Sequence, residues 1–307
     1  MSLGLSTSWN ASRYEDAKKL VFEIKSSGFQ DIELSFNLPL AMVEEIADLV
    51  SSGEIRVLSL HNFCPIPEGI ERSLALPDCY SVASRNEEER QAAVKYTKRT
   101  IDTARRLGAG AVVLHTGRVE IADKTRQLIK LYENGLEGTE EFRRLQALIL
   151  KERKDNAGPY FEQALRSLDE LTSYAAKSDI SLGMETRFYC REIPDFEEIG
   201  TILEKFRGSS LFYWHDTGHA QLMENLRFVR HKDFLEAYAK DMLGIHLHDI
   251  TGCQDHKAPS KGELDFGFLK PYLHADTIKI IEAHAPATAQ DLKESKVFLE
   301  DLLDGKA

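Results

Sequence analysis

Residues 243–249 read Leu-Gly-Ile-His-Leu-His-Asp, an apolar run that ends in ionisable side chains, and the same design recurs at regular intervals on either side of it. Upstream, run 211–216 ends in His215 and Asp216, and run 181–187 carries Glu185; downstream, run 279–284 carries Glu282 and His284. Between them lie longer segments of helical periodicity, the mark of successive βα units around a parallel sheet. Four further runs, at 3–9, 31–36, 57–63 and 111–117, complete the series. Eight strands in 307 residues predict one domain, residues 1–307, folded as an α/β (β/α)8 TIM barrel.

Helices are expected at 14–27, 41–51, 87–107, 160–177, 196–206, 232–240 and 289–303. Ser12 and Glu15 have capping-box spacing, and Gly28 and Gly108 stand where left-handed caps would end two helices. Segment 251–266, with Gly252, Pro259 and Gly262, reads as a loop. Residues from about 119 to 158 exceed the minimal repeat and read as a helical insertion after strand four. That position is on the catalytic face of such a barrel, so the insertion is expected to act as a lid, a contact between copies in a homo-oligomer, or a packed decoration of the rim.

Composition narrows the function classes. No apolar run is long enough to span a membrane, and the N-terminus lacks a leader pattern, so a cytoplasmic protein is expected. Four scattered cysteines without a C-x-x-C pair indicate free thiols. With 39 basic and 50 acidic residues the net charge is −11, which disfavours nucleic acid as a partner.

The chemistry gathers at strand ends, which in a barrel all point into one crevice: His61, His115, Glu185, Asp216, His219, His246, His248 and Glu282. Glu185, Asp216, His246 and Glu282 are 31, 30 and 36 residues apart, one per successive βα unit. Three carboxylates with one imidazole would be costly to bury without a cation, and suit one divalent ion, Mn, Zn, Mg or Co. His215 should alternate away from that face, His248 should stand behind the ligands, and His231 and His274 read as surface residues. Trp9 and Phe63 have two readings, stacking on a sugar ring or packing.

These motifs resemble the xylose isomerase-like barrel superfamily, which includes sugar isomerases, ketose 3-epimerases and endonuclease IV. The likeness rests on H-D-T-G-H at 215–219, I-H-L-H-D at 245–249, H-K-A-P-S-K-G-E-L-D-F at 256–266 and I-I-E at 280–282, with Ser260 replacing a glycine of the third motif. It implies Glu185, Asp216, His246 and Glu282 as metal ligands, and His219 and His256 as site histidines. It further implies a metal-dependent sugar or polyol isomerase or epimerase that passes through a metal-stabilised enediolate, with Glu185 and Glu282 as proton-transfer groups. His219 would orient or polarise a substrate oxygen. Arg187 would hold a hydroxyl, carboxylate or phosphate, or else form a salt bridge at the rim. The alternative is an endonuclease IV-like zinc phosphodiesterase acting on abasic DNA, because His61, His115 and His256 join the other five at that enzyme's ligand positions. There Gln254 replaces an aspartate, with Asp255 displaced by one.

Overall fold

The computed structural model describes residues 3–304. Eight parallel strands close a barrel: β1 (Leu3–Ser6), β2 (Asp31–Leu34), β3 (Arg56–His61), β4 (Ala111–Leu114), β5 (Ser181–Glu185), β6 (Leu211–Asp216), β7 (Met242–Leu247) and β10 (Ile278–Ile281). They neighbour one another in chain order, and β10 pairs with β1. Most strands stop two or three residues short of their expected ends, and the candidate side chains stand at or just past those ends. Glu282, for example, lies one residue beyond β10.

Alternation along the strands sorts the core into two layers. Val112 and Leu114 join the cluster shared with the surrounding helices, while Ala111, Val113, Trp214 and Ile280 form a separate one. Trp214 fills the barrel between β5 and β7. Gly183 and Gly244 flank it, and a Cβ at Gly244 would come within 2.3 Å of the indole.

The outer ring comprises α1 (Ala17–Ser26), α2 (Leu40–Ser51), α3 (Glu87–Leu107), α4 (Thr125–Glu133), α5 (Glu140–Ser178), α6 (Phe196–Lys205), α7 (Thr217–Asn225), α8 (His231–Tyr238) and α9 (Ala289–Asp304). The Ser12 cap is replaced by Asp16, whose carboxylate accepts from Lys19 N at 3.1 Å, so α1 starts later than expected. Gly28 and Gly108 do take positive φ, 91° and 70°. The insertion supplies α4 and the first half of α5, and α5 runs unbroken through Pro159 into the helix expected at 160–177. Segment 251–266 is not all loop, since β8 (Asp249–Thr251) and β9 (Gln254–Lys257) form an antiparallel hairpin over the barrel mouth. The Asp249 carboxylate holds its far side, accepting from the backbone N–H of Ile250, Gly262 and Leu264 at 2.8 to 2.9 Å. No described helix is long and apolar enough to cross a membrane.

Candidate metal centre

The ligand atoms of Glu185, Asp216, His246 and Glu282, all buried, lie within 4.8 Å of one another. His246 Nδ1 is their meeting point, 2.6 Å from Glu185 Oε1, 3.0 Å from Glu282 Oε2 and 3.7 Å from Asp216 Oδ2. Asp216 caps α7, and its Oδ1 accepts from His219 N at 2.7 Å and faces His248 Nε2 at 2.8 Å. Its Oδ2 is buried without a hydrogen-bond partner. An orphaned carboxylate oxygen among two other carboxylates fits a cation and is costly without one.

On the far side of the imidazole, Glu33 of β2 accepts from His246 Nε2 at 3.1 Å and from Ser59 Oγ at 2.8 Å. This contact fixes the ring and directs Nδ1 toward the three carboxylates. Nothing at strand ends marks Glu33, which lies inside β2, fully buried. Its signal is a glutamate between Ile32 and Leu34 on a strand covered on both faces, where an acid needs a partner.

Burial pushes the carboxyls of Glu185, Asp216 and Glu282 up, yet the facing histidines outweigh it and hold all three below the usual range. Glu185 Oε2 accepts from His115 Nε2 at 2.7 Å and Arg187 Nη1 at 3.1 Å, and lies 3.7 Å from His61 Nε2. His115 is in turn held at Nδ1 by Asp78, 3.1 Å away on the loop after β3. Burial and Arg187 lower the His115 pKa, but Asp78 and Glu185 prevail and raise it to about 9. Arg187 does form salt bridges, but as a buried side chain, with Glu192 at 2.6 Å and Asp78 at 3.4 Å beside Glu185.

His219, His248 and His256 form a second group within ligand distance of one another. The hairpin brings His256 there, stacked between His248 at 4.2 Å and His284 at 3.9 Å. Gln254 is exposed, whereas Asp255 Oδ2 lies 3.0 Å from His256 Nδ1 and 3.7 Å from His219 Nε2. The displaced aspartate thus faces the place that a neutral glutamine was expected to leave weak.

His215 points away from the ligands as expected, and His231, expected at the surface, is buried against it. Tyr213 OH bridges Thr186 Oγ1 and His215 Nδ1 at 2.7 Å each, His215 Nε2 meets His231 Nε2 at 2.9 Å, and His231 Nδ1 meets Gln221 at 3.1 Å. Burial pushes both imidazole pKa values far down. His274 is exposed, and Trp9 and Phe63 are buried in the core.

A cavity of about 600 Å³ opens onto Glu185, Glu282, His61, His115, His219 and His256. Residues 21–302 match the model of the xylose isomerase-like TIM barrel family. The chain belongs to this family. Solved structures similar to this xylose isomerase-like barrel include a D-tagatose 3-epimerase-like protein (18% identity, TM-score 0.64, covering 99% of this chain and 97% of that one). Also similar is the 3-keto-D-glucoside 4-epimerase YcjR from E. coli (16%, TM-score 0.67, 98% and 99%). A third is the IOLI protein, solved with a bound zinc atom (13%, TM-score 0.65, 99% and 99%). At these identities the likeness is one of fold. The search of curated proteins found no match.

Proposed function

We propose that this protein is a sugar or polyol isomerase or epimerase that uses one divalent ion, held by Glu185, Asp216, His246 and Glu282. The observation that carries the reading is the convergence of three buried carboxylates on His246 Nδ1, with Asp216 Oδ2 left unpaired. Relatives in fold that are named epimerases, and one solved with zinc, support it. When bound, a divalent ion would draw charge from neighbouring carbonyl and hydroxyl oxygens and so acidify the C–H beside them.

The chain's own residues supply the proton chemistry. Glu185 and Glu282, from β5 and the end of β10, approach one point beside His246, so one can take a proton from carbon and the other return it. His115 and Arg187 keep Glu185 in its charged form. His219 gives its Nδ1 hydrogen to Thr186 O at 3.0 Å, and burial lowers its pKa. Its Nε2 is therefore an acceptor, suited to orienting a substrate hydroxyl rather than polarising a carbonyl.

The test is exchange of solvent deuterium into a panel of ketoses and inososes, with and without added metal. Glu282→Gln is expected to slow exchange about 100-fold or more while the fold persists. Full exchange by that variant refutes the base assignment, and failure of the wild type on every member removes the isomerase reading.

One observation favours a second reading, a zinc phosphodiesterase: Asp255 lies between His219 and His256, and His61, His115 and Glu185 form another ligand-spaced group. Three zinc ions per chain together with cleavage of abasic DNA would establish it.

A further inference from the structure

The chain is acidic and the floor of its cavity is built from carboxylates, yet one wall carries four arginines, Arg118, Arg126, Arg187 and Arg191. The loops after β4 and β5 present three of them. An antiparallel bridge between Arg118 and Glu192, and the bond from Val119 N to Arg191 O at 2.8 Å, join these loops. Arg126 comes from α4 of the insertion and lies over the Tyr189 ring.

Their partners separate them. Arg187 has its charge balanced by Glu185, Glu192 and Asp78, although its Nε, like that of Arg191, is buried without an acceptor. Arg118 gives Nε to Glu120 at 2.8 Å, and Arg126 gives one amine to Tyr189 OH at 2.6 Å, with Asp123 at 3.7 Å. Arg191 donates Nη1 to Ile121 O at 3.3 Å and pairs with no carboxylate among the described residues; its Nε is buried without an acceptor. A guanidinium is a fork of five donors matched to carboxylate and phosphate, and a buried N–H without an acceptor is costly. Arg191 lines the cavity, where a ligand oxyanion would meet its guanidinium and balance its charge.

We infer that Arg191, with Arg126 and Arg118 beside it, forms an oxyanion subsite, and that the substrate is a keto sugar bearing a carboxylate or a phosphate away from the reacting carbon. This rests on the isomerase or epimerase reading.

The experiment compares three arms with metal-loaded enzyme: neutral ketohexoses, keto-hexonates and ketose phosphates, each followed by deuterium exchange. One charged arm is expected to exceed the neutral arm in kcat/KM by about 30-fold or more, and which arm it is distinguishes carboxylate from phosphate. Arg191→Ala should reduce that advantage about 10- to 100-fold, through KM, and Arg191→Lys should restore it only partly. Arg126→Ala, on an exposed helix face, supplies the same test should Arg191→Ala fail to fold. A neutral arm as fast as the charged arms, or an Arg191→Ala variant that slows all arms equally, overturns the inference. Calorimetric titration with phosphate and with malonate reads the subsite without turnover. Saturable binding weakened 10-fold or more in Arg191→Ala supports it even if no sugar exchanges and the isomerase reading has failed; binding unchanged by the substitution overturns it.

Discussion

Glu33 touches no open part of the cavity, yet it governs the orientation of the one imidazole at the centre of the ligand group. Removing such an outer partner of a ligating histidine costs metal affinity while leaving the ligands in place. Glu33→Gln is therefore expected to weaken Mn²⁺ or Zn²⁺ binding about 10- to 100-fold by calorimetric titration, with little change in the far-UV spectrum. The four candidate ligands were legible because each stands at or near the end of an apolar run. Glu33 was overlooked because it interrupts one, and interruption inside a doubly covered strand is itself a signal. Asp78 carries none: it lies on the long loop after β3, and only the fold brings it to His115 and Arg187. His231 misled for the opposite reason, since a histidine beside Arg230 and Lys232 looks solvated, whereas its side chain turns inward to His215.

Among the elements, periodicity located all eight barrel strands, because their runs are uniformly apolar. It failed at the β8–β9 hairpin, whose outer strand Gln254–Lys257 is polar throughout and whose position depends on the Asp249 clamp. It also divided α5, because Gly158 and Pro159 are ordinary helix breakers. The first half of that helix is fixed to the barrel by Arg153, which donates to Asp195, Glu198 and the Glu192 carbonyl at 2.6 to 2.7 Å. Arg153→Ala is expected to lower stability in urea unfolding by about 1–3 kcal/mol. That is less than a fully buried pair would lose, because Asp195 is 40% exposed and water screens it. The variant should also loosen the loop after β5, which proteolysis would report.

Across the whole molecule, His231 ties α8 to the barrel wall through His215, and burial keeps it neutral far below its ordinary pKa. The unfolded chain takes up a proton on this residue as pH falls through about 6.5, and the folded chain does not. Its contribution to stability is thus complete above that pH and declines below it. The unfolding free energies of the wild type and His231→Gln are expected to draw closer as pH falls from 7 to 5. A gap that stays constant or widens would contradict the buried neutral ring.

Helix α5, with 39 residues at 1.5 Å each, is a rod roughly 58 Å long. Its second half packs on α3 and β5 in the barrel wall, while its first half carries the insertion. Because Phe142 and Ile149 seat that first half against α4 and α7, a load applied there by a neighbouring molecule is carried along the rod as torque on the stave that holds Glu185.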